Sequence, residues 1–282
     1  MGLRINTNVP SLIAQRNLRT NRSTLDRTLE RLSSGSRINH AGDDAAGLAI
    51  SESLRAQLRG LAQAERNAQD GISLVQVAEG AMAEVSNILI RMRELGVQAA
   101  SDTVGDQERK YLNVEFSQLM EEIDRIAQST EFNGTALLNG SSHTFEIQIG
   151  TRNNPLVDRV RLFDSSGADI NLVALGINLA SVGDKSSAQN SLAAVDGAIA
   201  SVTSIRAEFG AMQNRLQSIV NNIMVSRENL SAANSRIRDM DMAEETSELT
   251  KSQILMQSGV SVLGQANSTI KTALGLLGGG GS

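Results

Sequence analysis

The chain has 282 residues, a net charge of −5, no cysteine, no tryptophan, and 2% aromatic residues against 40% hydrophobic ones. The missing cysteines exclude disulfides, thiol chemistry and thiolate metal sites. The negative balance argues against nucleic acid as the main partner. Burial must therefore come from Leu, Ile, Val, Ala and Met, which suits helix packed on helix, and only Pro10 and Pro155 interrupt the chain. No run of about 18 apolar residues occurs, so no membrane span is expected. The first residues, "MGLRINTNVPSLIAQRNL", lack the apolar core of a cleaved secretory signal.

In chain order, Leu18, Leu25 and Leu32 fall seven apart with Leu29 four after Leu25, predicting a helix over about 11–32. "LSSGSRINHAGDDAAG" then breaks it. Gly35 suits the left-handed conformation that ends a helix, and Asp43 or Asp44 suits the cap that starts the next. From Leu48 the pattern resumes through Leu54, Leu58, Leu61, Ala68, Ile72, Val75, Met82 and Leu89 to about residue 100. At 1.5 Å per residue that helix is on the order of 80 Å long. After "SDTVGDQE" a shorter helix runs to about 129 with Leu112, Phe116, Leu119, Ile123 and Ile126.

The middle changes period. "EFNGTALLNGSS" is turn-rich. Phe145, Ile147 and Ile149 then alternate and are answered by Val160 and Leu162, predicting a β-hairpin near 143–163. Residues 164–186 read as loop with one short helical turn. Val195, Val202, Phe209, Leu216, Ile223, Leu230 and Ile237 repeat every seven residues, with Ile205, Met212 and Ile219 between them, as in a coiled-coil seam. After "RDMDMAEE" a second series follows: Leu249, Met256, Leu263, Ile270 and Leu277, with Val260 and Leu274 beside it. The Gly-rich tail at 278–282 reads as flexible. Short terminal helices are unstable alone. The economical fold is therefore mainly α: an elongated antiparallel coiled-coil rod with a small β-hairpin region, its termini paired and its two long helices paired.

Chemistry is nearly absent. His40 and His143 have no partner at metal-ligand spacing, and no phosphate loop or hydrolase motif occurs. Asp43-Asp44 is better read as a cap than as a metal site. No catalytic residue, metal or cofactor is assigned. Charge is more informative: residues 1–37 hold seven arginines against Asp26 and Glu30, whereas 239–248 hold Asp239, Asp241, Glu244, Glu245 and Glu248 with no basic residue. Either both runs are plain surface charge, or one of Arg27, Arg31 and Arg37 meets the acidic connector, within a subunit or between subunits.

The motifs "INTNVPSLIAQRNL", "LSSGSRINHAGDDAAGLAIS", "IRMRELGVQAA", "EFNGTALLNG", "FGAMQNRLQS", "SRIRDMDMAEE" and "VLGQAN", in this order, resemble those of bacterial flagellins over essentially the whole chain. The resemblance implies a secreted structural subunit that leaves the cell through the flagellar type III system and polymerises into the extracellular flagellar filament. Its implied partners are further copies of itself, an export chaperone and the filament cap, with no nucleic acid and no membrane. It further implies an inner-core helix at 1–34, a connecting spoke at 35–46, a rod domain at 47–240 and a second inner-core helix at 241–277. Gly35, Arg37, Asp43, Asp44, Asp239 and Asp241 are the spoke residues. Leu18, Leu25, Leu29, Leu32, Leu249, Met256, Leu263, Ile270, Leu274 and Leu277 are the packing residues of the terminal helices and subunit contacts. By the same resemblance, Arg91, Leu95 and Glu115 match the patch recognised by Toll-like receptor 5. Only about 60 residues lie between the helical halves, so this is a short form without large outer domains. A hook–filament junction protein or a non-polymerising coiled-coil adhesin is the alternative.

Overall fold

Asn8 opens the first helix, α1 (Val9–Ser34): its side chain accepts from the Ser11 N–H at 3.1 Å, and Pro10 follows where its missing N–H costs nothing. Gly35 closes α1 at φ 70°, its N–H reaching the Arg31 carbonyl at 2.8 Å. Residues 7–140, 144–164 and 168–278 are described by a computed structural model, without the side chains of 164, 270, 271 and 273–278. Ile270, Leu274, Leu277 and His143 thus lie outside the described side chains. Among the described residues four more helices follow: α2 (Ala45–Ala99), α3 (Asp106–Ser129), α4 (Lys185–Arg238) and α5 (Met242–Gly278). The short strands among the described residues, β1 (Glu131–Phe132), β2 (Thr135–Ala136), β3 (Thr144–Gln148) and β4 (Arg159–Asp164), form two antiparallel pairs.

The chain divides into two compact units. The first joins both ends of the sequence, Met1–Ala56 with Leu230–Ser282. Within it α1 and α5 run antiparallel. Asn8 Nδ2 donates to the Ala266 carbonyl at 3.1 Å at one end, and Arg31 meets Glu245 at 3.7 Å at the other. Between them Leu18 lies over Gly259, where an added Cβ would sit 2.7 Å from a Leu18 methyl.

The buried positions of this pair are small: Ser11, Ala14 and Thr28 on α1 and Ser252 on α5. Leu18, Leu25, Leu32, Leu249, Met256 and Leu263 are half-buried at the edges of the seam. Leu29 departs from the packing expected of it within the helix pair. The seam steps through 11, 14, 18, 21, 25, 28 and 32, so Thr28 is buried and Leu29, about 100° further round the helix, is 47% exposed. Val260 is likewise turned outward, at 59% exposure.

The second unit, Gln57–Asn229, carries the main core. Here α2 and α4 run antiparallel, tied by Arg93–Asp196 at 2.6 Å and by a Glu65–Arg227 ion pair. The heptad residues Val195, Val202, Phe209, Leu216 and Ile223 are buried. Phe116 and Ile123 of α3 are fully buried with Met82, Leu89 and Met92 of α2. Arg109, 7% exposed, ties α3 back to the end of α2 by donating to the carbonyls of Ala99 (2.9 Å) and Ser101 (2.8 Å).

The expected hairpin is β3–β4, with Ile147 opposite Val160 and a register shift between Thr144 and Glu146. Its rings Phe145 and Phe163 lie in series with Phe209 of α4, at centroid distances of 5.2 and 4.9 Å. Few as the aromatics are, three of the five phenylalanines thus gather in one place. The turn-rich stretch holds a second hairpin not foreseen from the sequence, β1–β2, joined by Asn133-Gly134 at φ 52° and 75°. Left-handed geometry at both central residues is the tight turn that Asn-Gly favours.

Residues 168–184 contain no strand or α-helix element, yet bury Ala168, Ile170, Leu175, Ile177 and Val182. The short turn expected here is closed by Leu175 N–H to Asn171 O at 3.0 Å. Side chains hold the rest in place. Asn113 Oδ1 accepts from Ser181 Oγ and Val182 N–H, both at 2.9 Å, and Ser191 Oγ brackets the backbone of Ser181.

Candidate functional site

Two breaks in the helical chain, at 35–44 and 239–241, lie side by side in the first unit and form a joint. Ser36 and Asp239 make an isolated antiparallel bridge. Arg37 N–H donates to Arg238 O at 2.7 Å, and Met240 N–H to Gly35 O at 3.4 Å. The two connectors therefore satisfy each other's backbone groups where neither is helical.

Each spoke residue has a distinct place. Asp44 caps α2 by accepting from Gly47 N–H at 2.8 Å. Asp43 does not cap the helix; it folds back on the loop and accepts from the N–H groups of His40 (3.1 Å) and Asn39 (3.3 Å). The His40 bond is the main reason the Asp43 carboxyl titrates below the ordinary aspartate value. Asp241 caps α5 through Ala243 N–H at 2.8 Å, while Asp239 contributes its backbone. Ile38, 2% exposed, is the apolar centre of the joint; an added Cβ on Gly47 would come within 2.8 Å of its terminal carbon. Nothing in the periodicity points to Ile38, but it is the one large apolar residue in a polar break.

Of the three arginines considered for the acidic connector, Arg31 reaches Glu245. Arg37 instead donates from Nη2 to the Ile237 carbonyl at 2.8 Å, near the C-terminal end of α4, where a cation suits the helix dipole. Arg27 Nε turns to Ser23 O on its own helix. Arg238 and Arg55 both meet Glu52, whose carboxyl titrates lower chiefly through its hydrogen bond from Arg238.

The other candidate patch lies in the second unit. Arg91 bonds Glu115 from Nε at 2.9 Å and Glu94 from Nη1 at 3.0 Å, in an exposed network. Leu95, one turn on, is 1% exposed and sits in the core with Phe116 and Ala99. The structure thus separates the three residues: Arg91 and Glu115 pair on the surface, and Leu95 offers no surface for a direct contact. Among the described residues no group of three or more His, Asp or Glu side chains is placed to hold a metal, and no helix is long and apolar enough to cross a membrane.

Paired terminal helices, a backbone-stitched joint and outward apolar side chains define a helical structural protein built to associate. The chain belongs to the bacterial flagellins. Residues 5–143 match the bacterial flagellin N-terminal helical region and 192–277 the C-terminal helical region. It is 46% identical over 273 residues to a flagellin of Halalkalibacterium halodurans (97% of this chain, 99% of that one) and 44% identical over 306 residues to a flagellin of Bacillus subtilis (98% and 100%). It is 42% identical to a flagellar filament 33 kDa core protein of Treponema phagedenis over 286 residues (97% and 99%). Among solved structures, the flagellin of Bacillus cereus matches with a TM-score of 0.50 at 33% identity, covering 60% of this chain and 94% of that one. A putative flagellar hook-associated protein of Vibrio parahaemolyticus shares the fold at TM-score 0.55 and 18% identity, covering 70% and 100%. Membership makes the chain a structural subunit of the extracellular bacterial flagellar filament and not an enzyme.

Proposed function

We propose that the chain polymerises by burying the outward faces of its two terminal helices against further copies. The observation that supports this reading is the apolar surface the pair leaves uncovered. Leu12, Ile13 and Leu29 on α1, and Ile254, Val260 and Val262 on α5, are between 45% and 59% exposed. Apolar side chains concentrated on two adjacent helices mark an interaction surface. Contacts of this heterologous kind, when they do not close on themselves, extend into an open helical polymer. In this reading Leu29, outside the pair's own seam, is a subunit-contact residue.

The flagellar export chaperone and the filament cap are the proposed partners of the same helices before and during incorporation, since these faces need cover until copies pack on them. A receptor of the Toll-like receptor 5 type would engage the exposed Arg91–Glu115 pair, with Leu95 supporting it from beneath. Deleting residues 246–282 removes most of α5 and leaves Gln57–Asn229 untouched. The truncated chain is expected to keep its helical core by circular dichroism and to form no filaments on seeds viewed by electron microscopy. Long tubes from the truncated chain would overturn the assignment.

A further inference from the structure

Four dipeptides in the chain have the makings of a succinimide: Asp70-Gly71, Asn133-Gly134, Asn139-Gly140 and Asp196-Gly197. In each, the side-chain carbonyl carbon Cγ can be attacked by the next backbone nitrogen, and glycine has no Cβ to hinder the approach. The ring closes only when rotation about the Cα–C bond brings that nitrogen to the same side as Cβ. The fold decides which of the four can make that rotation.

Three are restrained. Asp70 and Asp196 lie well inside α2 and α4, where turning the peptide out of helical geometry breaks hydrogen bonds within a long helix. Asn139 is tethered through its backbone. Its carbonyl accepts from Asn171 Nδ2 at 3.1 Å, and the Leu138 carbonyl before it accepts from the Ile170 N–H at 3.3 Å. Gly140 follows at φ 72° against the Asp169 carboxylate, 2.4 Å from where an added Cβ would lie. That negative charge also opposes loss of the amide proton, which the attack requires.

Asn133 is different. It is exposed, no described residue bonds its side chain, and an added Cβ on Gly134 would meet open space. In the closed turn its φ is 52°, and the left-handed region sets ψ at about +30 to +60°, which places the Gly134 nitrogen nearly opposite Cβ. The turn must therefore open before it reacts. Opening is local, because β1–β2 consists of two residue pairs, Glu131 with Ala136 and Phe132 with Thr135. Beyond them the chain is anchored by the Leu137 N–H to Thr130 O bond at 3.0 Å and by fully buried Leu137 and Leu138. The tip can part while these anchors hold.

We propose that Asn133 is the chain's site of spontaneous deamidation. In the opened turn the Gly134 nitrogen gives its proton to base and bonds to Cγ. The Cγ–Nδ2 bond breaks, and Nδ2 takes up a proton and leaves as ammonia. Water then adds to one of the two ring carbonyls, and the bond from that carbon to the ring nitrogen breaks. Opening at Cγ leaves aspartate; opening at the backbone carbonyl leaves isoaspartate, with the main chain rerouted through Cβ. One water enters, one ammonia leaves, and one negative charge is gained near Glu131. Isoaspartate adds a backbone methylene that a two-residue turn does not accommodate, so β1–β2 stays open afterwards.

The full-length soluble chain, aged in mildly alkaline buffer, tests this. Digestion and fragment mass spectrometry locate the mass gain of deamidation, and an isoaspartate-specific methyltransferase measures methyl acceptance at all four sites. In the folded chain Asn133 is expected to convert at least about tenfold faster than Asn139, and faster than isoaspartate forms at Asp70 or Asp196. In urea, where the tethers are gone, Asn133 and Asn139 are expected to convert within about threefold of each other. Asn133→Gly, which tolerates a positive φ, is expected to remove most of the methyl acceptance of the folded chain. Should that variant fold poorly, the site-resolved rates of the unmodified chain give the same answer. A folded-state preference for Asn133 no greater than that in urea overturns the proposal. So does a folded chain whose Asn133 stays intact over the time in which the urea-unfolded chain is converted.

Discussion

Leu95→Ala is expected to destabilise the Gln57–Asn229 unit by about 2–5 kcal/mol, the usual cost of truncating a fully buried leucine. Leu95 is 1% exposed and belongs to the same cluster as Met92, Ala99 and Phe116, so its loss removes apolar burial and leaves a cavity the helices cannot close. Urea or thermal unfolding followed by circular dichroism measures the shift. Arg91→Ala, which removes one side of an exposed ion-pair network with Glu94 and Glu115, is expected to leave the unfolding midpoint near that of the unmodified chain. Receptor signalling lost on Leu95→Ala would then reflect the platform, and signalling lost on Arg91→Ala the contact. An unchanged midpoint for Leu95→Ala would refute its role in the core.

Gly259→Leu is expected to detach α1 from α5 and abolish polymerisation while sparing the larger unit. A Cβ at this position already falls 2.7 Å from one Leu18 methyl and 3.1 Å from Cγ, so a leucine forces the helices apart. Overpacking of this kind costs about 1–3 kcal/mol, which is large for a seam whose buried side chains are serine, alanine and threonine. Hydrogen exchange over residues 11–28 reads the detachment, and the unfolding midpoint of Gln57–Asn229 should not move. Gly264→Ala is the control: nothing lies within 4 Å of its added Cβ, and in the monomer helix propensity alone favours it by about 0.8–1 kcal/mol. Undiminished protection of α1 in Gly259→Leu would show that the seam does not depend on this close approach.

These predictions depend on details of unequal legibility. The helices and the β3–β4 hairpin follow from periods of 3.6 and 2 and from end signals such as Gly35 and the Asp43-Asp44 pair. The Asn133-Gly134 hairpin was not foreseen, although its dipeptide favours left-handed geometry at two successive residues. Residues 168–184 were not legible, because what holds them is a set of side-chain hydrogen bonds to Asn113, 69 positions away from Val182, and to Ser191. No local period encodes such tethers.

The joint shows the same division. Two breaks at matching places in the two halves were legible, but the loop did not reveal that Asp44 caps the helix and Asp43 the turn. Nor did charge count distinguish Arg31, which meets Glu245, from Arg37, which meets a carbonyl. Both arginines flank the same acidic run; the choice follows from which way each backbone segment turns.

The sequence by itself determined the helical class, the pairing of the two chain ends, the near absence of reactive chemistry and, through its motifs, the flagellin family. The tertiary structure alone decided which of two neighbouring residues is inside. Thr28 is buried and Leu29 exposed, although hydrophobicity ranks them the other way. A hydrophobic period locates a helix face only to within about one residue, roughly 100° of rotation. The last step is settled by the shape of the opposing helix, and here that helix presents Ser252 and Gly259, which admit close approach.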